Sequence, residues 1–145
     1  MKTRLAAVAV TLALAVSVHA QEAVPQAGAL SDAEAVEAIQ ASNEGEISAA
    51  EIALQKATRS DVKKYSARMK KDHEASRSKM QALASEKGWT PAESEFSAGL
   101  RRHSTEMNGA ISPLSGADFD RAYIDGMVAD HQALLGDKYR LEDFE

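Results

Sequence analysis

Two stretches of the chain carry one pattern at one spacing: Tyr65-x-x-x-Met69-x-x-Asp72-His73 and Tyr123-x-x-x-Met127-x-x-Asp130-His131. Positions i, i+4, i+7 and i+8 fall on one side of an α-helix, where successive residues turn by about 100°. In a strand the same residues would be split between two faces. The repeat therefore commits both stretches to helices, each with a stripe that has to be buried. The earlier stripe extends through Val62, Ser76, Met80 and Leu83, and the later one through Leu134 and Leu141.

Start and stop signals divide the chain into four helices. Ser31-x-x-Glu34 is a capping box that opens the first, which runs without Pro to about Thr58. Ser60 can cap the second, and Gly88 after Lys87 closes it. Thr90-Pro91-x-Glu93 predicts the start of a third, Pro113 its end, and Ser115-x-x-Asp118 a fourth running at least to Leu135. Joints of two to four residues imply antiparallel neighbours. The expected fold class is thus all-α, an antiparallel bundle of about four helices. The first helix fits the repeat's template with Ile39, Asn43, Glu46 and Ile47 in the places of Tyr, Met, Asp and His, and Val36, Ala50, Leu54 and Ala57 extend its stripe. The third fits more loosely through Phe96, Leu100, His103 and Ser104, followed by Met107 and Ile111.

Residues 1–20 read as a secretory signal: Lys2 and Arg4, an apolar run from Leu5 to Val18, and the small-residue cleavage site Val18-His19-Ala20. That run is shorter than the roughly 20 residues of a bilayer span, so no transmembrane segment is expected after cleavage. Residues 21–30 follow as a flexible leader, and 31–145 as the bundle domain. The chain carries a net charge of −5, and loss of the signal removes two basic residues and no acid, which argues against a nucleic-acid partner. With no Cys, an exported chain rests on its core alone and has no thiolate metal site. One Trp, three Tyr and three Phe make that core mainly aliphatic, Ala and Met, with Trp89 expected to cover the bundle end. The basic run of Arg68, Lys70, Lys71, Arg77 and Lys79 reads as a solvated face. No nucleophile elbow, glycine-rich phosphate loop or zinc-protease motif is present, and nothing in the sequence marks an enzyme.

One acid recurs on the inward stripe of three helices, as Glu46, Asp72 and Asp130, beside His73 and His131. An unpaired carboxylate is costly among buried residues, so these five need an explanation, and three compete. They can form a structural polar layer in which carboxylates bond imidazoles and Asn43 to fix helix register. They can converge as carboxylate and imidazole ligands on iron, manganese or zinc. Or Met69 with His73, and Met127 with His131, can hold copper(I) through thioether and imidazole.

The residues Asn43-x-x-Glu46-Ile47, Ala53-Leu54-Gln55-Lys56-Ala57, Val62, Met69-x-x-Asp72-His73, Phe119-Asp120-Arg121-Ala122-Tyr123 and Met127-Val128-x-Asp130-His131 together resemble the bacterial family called domain of unknown function 4142. The resemblance covers residues 32 to 135. It implies a ferritin-like bundle exported to the periplasm, in a family often labelled as outer-membrane proteins. It also implies a further helix carrying another His, where this chain has Gly136 to Glu145. A bundle short of one helix would expose an apolar groove along the fourth, suited to self-association. Two functions follow: a non-enzymatic binding or stress-related module, or a ferritin-like metal-binding protein with a carboxylate–His or Met–His site.

Overall fold

Ser31 opens the first helix as its capping box requires. Its hydroxyl accepts the Glu34 amide while the Glu34 carboxylate accepts the Ser31 amide at 2.9 Å. From there the computed structural model describes residues 30–138, and side chains as far as residue 133. The signal segment, the leader as far as residue 29 and Leu141 lie outside the described residues, as does the side chain of Leu134. The helices are α1 (Asp32–Lys56), α2 (Ser60–Lys87), α3 (Glu95–Ile111) and α4 (Gly116–Lys138), and no strand occurs among the described residues. None of these helices is long and apolar enough to cross a membrane.

Two boundaries differ from expectation or are reached by another route. The third helix begins at Glu95, not at Thr90-Pro91, because Ser94 and Ser97 form a second capping box and Ser97 is fully buried. The joint before it is correspondingly longer than four residues, and the Ala92 amide ties it to the Ala33 carbonyl at 3.1 Å. At the start of α2 it is Arg59 that holds the cap position, and its side chain caps nothing. The free amides there go instead to Asp120 of α4, which accepts from Thr58 N at 3.0 Å, Thr58 Oγ1 at 2.6 Å and Arg59 N at 3.0 Å. Gly88 closes α2 at φ 68°, a left-handed conformation that glycine adopts at no steric cost.

The first helix is the centre of the bundle. Its buried set of Val36, Ala38, Ala41, Asn43, Glu46, Ile47, Ala49, Ala50 and Ala53 is too broad for a single stripe, because α2 and α3 pack on different flanks and α4 also reaches it. Ile39, expected inward, is 37% exposed. The alanines let the helix axes approach. Gly45 goes further, since a Cβ there would lie 2.8 Å from the Ser104 Cβ. Ala49, Ala53 and Ala57 join Val62, Met107, Ile111, Phe119, Tyr123 and Met127 in one core cluster drawn from every helix. Ala38, Ala41 and Leu100 form a smaller one beyond it with Leu30 and Phe96. The loosely matching stripe of α3 is thus used in full.

The two copies of the repeat lie side by side and in register. The Tyr65 and Tyr123 rings meet edge-on at 6.2 Å, and the His73 and His131 rings do the same at 6.2 Å. Both pairs have the same offset in sequence, so α2 and α4 run parallel, and it is their side chains that span the gap between them. A cleft remains beside the tyrosines, lined by Val62, Tyr65, Ile124 and Val128 among others.

Candidate metal centre

Three helices bring Glu46, His73 and His131 together, with one ligand atom from each lying within 4.8 Å of the other two. Bonds of roughly 2.0–2.2 Å to a common ion would set such atoms about 3.3 Å apart, so small side-chain rotations separate this arrangement from a coordination sphere. Both imidazoles have their Nδ1 engaged by an oxygen acceptor. His73 Nδ1 donates to Asn43 Oδ1 at 2.9 Å, and His131 Nδ1 donates to the Met127 carbonyl at 2.8 Å. A carbonyl oxygen cannot donate, so the proton sits on Nδ1 and the neutral ring keeps its lone pair on Nε2. Holding the far nitrogen of a ligating His in this way is the usual outer-shell arrangement.

Glu46 supplies the acid. It is 7% exposed, and its Oε2 is buried without a hydrogen-bond partner. Burial pushes its carboxyl up from the ordinary 4.5 to about 7. Asp130 adds to that rise, while His131 and His103 oppose it. Burial also lowers His73, with His131 contributing, which favours the neutral ring that a metal needs. The donor set fits a borderline divalent ion.

The family model described as "Domain of unknown function (DUF4142)" matches residues 16–139. The chain belongs to this family. No curated protein and no solved structure matches it significantly. In this DUF4142 protein, then, the functional reading rests on the site itself.

Of the other two residues expected at the site, one is turned away and one is engaged by another partner. Asp72 is a correction: its side chain is 57% exposed and pairs with Arg68 at 3.3 Å, one turn back on the surface of α2. The reason is the rotation of α2 about its own axis. Val62, Ser66, Met69 and Ala84, its buried residues, all fall within roughly 40° of His73, while Asp72 is roughly 100° away. On α4 the buried Phe119, Asp120, Tyr123 and Met127 are centred on the Asp130 side of His131. Asp130 is therefore inward, but it is engaged. Its Oδ1 bonds His103 Nε2 at 2.7 Å, with both side chains largely buried, and this bond raises the His103 pKa.

Met69 and Met127 are buried as the repeat requires, and Met127 packs in the main core cluster with Phe119 and Tyr123. One further polar group stands out near them. The Tyr123 hydroxyl is buried without a hydrogen bond, beside a Ser66 hydroxyl that donates to the Val62 carbonyl, and burial pushes it up to about 12. The stripe of α3 placed His103 inward without pairing it with Asp130, and the stripe of α1 placed Asn43 inward without pairing it with one His. A stripe names the face and not the partner.

Proposed function

We propose that this bundle binds one divalent first-row transition metal ion through Glu46, His73 and His131, and that it does so after export to the periplasm. The observation that carries the reading is the buried, unpartnered Glu46 carboxylate oxygen beside two imidazoles whose Nδ1 protons are already committed. A purely structural layer would pair its groups, as His103 and Asp130 do. Leaving a buried acceptor unpaired costs roughly 1–3 kcal/mol. A bound cation offsets that cost.

Two imidazoles and a carboxylate suit zinc or iron(II), and less tightly manganese. Packing of Met127 among aromatic rings supports a core role for it and weighs against the thioether copper site. Ligands from α1, α2 and α4 would make the ion a clamp on three helices. This suits a binding or stress-related module.

The test is calorimetric titration of the metal-free mature protein with zinc(II), and anaerobically with iron(II) and manganese(II), alongside cell fractionation. One ion per chain is expected, with zinc tightest of the three. Binding should be lost in His73→Ala and His131→Ala variants that keep their helical circular dichroism. Failure to bind any of the three ions, or unchanged affinity in both variants, refutes the reading.

A further inference from the structure

The tyrosines of the repeat take no part in the metal reading. Tyr65 and Tyr123 meet with ring centroids 6.2 Å apart and planes at 64°, inside the contact range of an edge-on aromatic pair. They bridge α2 and α4, two helices whose backbones scarcely touch. Their surroundings differ. Tyr123 is 1% exposed, its hydroxyl is buried without a hydrogen bond, and Phe119 stacks against it with planes 5° apart. Tyr65 is half-buried and lines the cleft between the two helices, a space of about 570 Å³. A small molecule can thus meet Tyr65 while Tyr123 stays covered.

Phenol chemistry and the composition of the chain say what such a pair can do. Tyrosine gives up a single electron readily, and two tyrosyl radicals in contact couple through their ring carbons. A thiol would take the oxidation first, but the chain has no Cys. Methionine is oxidised to its sulfoxide rather than coupled, and Met69 and Met127 are both buried. The one Trp, Trp89, stands beyond the C-terminal end of α2, roughly six helical turns from Tyr65.

We infer that Tyr65 and Tyr123 are an oxidative cross-linking site, at which a one-electron oxidant derived from peroxide and admitted by the cleft converts them into a dityrosine that ties α2 to α4. Each tyrosine loses one electron and its phenolic proton. The Tyr123 electron passes through the Tyr65 ring in contact with it, and both protons go to water. A carbon–carbon bond then forms between ring positions ortho to the two hydroxyls. The hydrogens on those two carbons move to the phenolic oxygens and restore the hydroxyls. The chain has lost two hydrogen atoms, and one peroxide has become two waters. No hydrogen bond of the Tyr123 hydroxyl has to be broken on the way. In a chain without disulfides the product is a covalent tie between helices, and it is independent of the metal reading, since no ion takes part.

The experiment uses the metal-free mature protein carrying Tyr139→Phe, which leaves Tyr65 and Tyr123 as its only tyrosines. The probe is hexachloroiridate(IV), a small one-electron oxidant, added at low protein concentration so that reaction within one chain is favoured. The oxidised monomer should be lighter by two hydrogen atoms, show dityrosine fluorescence, and yield one cross-linked peptide joining Tyr65 to Tyr123. Tyr65→Phe in the same background keeps the ring packing and should show none of these while retaining its helical circular dichroism. The cross-linked monomer should unfold at a higher urea concentration than the untreated one, because the tie closes a long loop in the unfolded chain. Oxidation that gives no cross-link, or cross-links only between chains, overturns the inference. An equal yield of the intramolecular cross-link from urea-unfolded protein overturns it too, since the fold would then not be what pairs the rings.

Discussion

Replacing Glu46 with Gln should stabilise the metal-free protein at alkaline pH, the opposite of what loss of a buried charged residue usually does. Glu46 is shifted from 4.5 to about 7, chiefly by burial. An acid whose folded pKa is raised binds its proton more tightly in the folded state. Its destabilising effect is therefore absent below about pH 4.5, grows as the pH rises, and is complete above 7. At about 1.36 kcal/mol per pH unit, the shift corresponds to a destabilisation on the order of 3 kcal/mol at pH 8. Gln has the same shape and no charge, so it removes this term. With a urea m-value of about 1–3 kcal/mol/M, the metal-free variant should unfold on the order of 1–3 M later than the parent at pH 8. At pH 4.5 the two midpoints should nearly coincide. Zinc should reverse the order: at about 1,000 times its dissociation constant it adds roughly 4.1 kcal/mol to the parent and little to the variant. If Glu46→Gln is less stable than the parent by the same margin at pH 8 and pH 4.5, the carboxylate is a satisfied structural group and the reasoning fails.

Asp120 should behave in the opposite sense. Its bonds to Thr58 and Arg59 hold its carboxyl below the ordinary range, so its contribution is present above about pH 4 and is lost as acid takes the pH down through the lowered value. Asp120→Asn should lower the urea midpoint at pH 7 more than the exposed Asp125→Asn does, and should flatten the acid limb of the stability profile. Gly45→Ala forces a methyl against Ser104 and should destabilise by roughly 1–3 kcal/mol, with rescue when Ser104 is also made Gly. Gly109→Ala on α3 meets only open space and should instead stabilise by up to about 1 kcal/mol, read in the same urea melts.

The limits of what the sequence made legible are physical, and the repeat illustrates them. Its spacing established two helices, and the four rings of the repeat do meet in pairs between α2 and α4. What spacing cannot fix is rotation about each helix axis, because that is set by the neighbours. The buried residues of α2 centre on His73, whereas α4 is also packed by α3 and turns its Asp130 side inward. One spacing therefore yields an exposed Asp72 and a largely buried Asp130 side chain. The same limit hid the Asp120 cap, whose partners lie more than sixty residues away, and the His103–Asp130 pair. Capping signals failed differently: Thr90-Pro91 and Ser94-x-x-Ser97 are both valid starts, and the burial of Ser97 decides between them. Glu46 was legible for a sounder reason. Aligning α1 to the template put an acid where the repeat has Asp, on a helix whose remaining face is mostly alanine, and so small that the helices approach closely. Such a helix leaves a carboxylate little room to reach solvent, and the acid needs a partner inside. The two histidines of the repeat stand where that partner would bind.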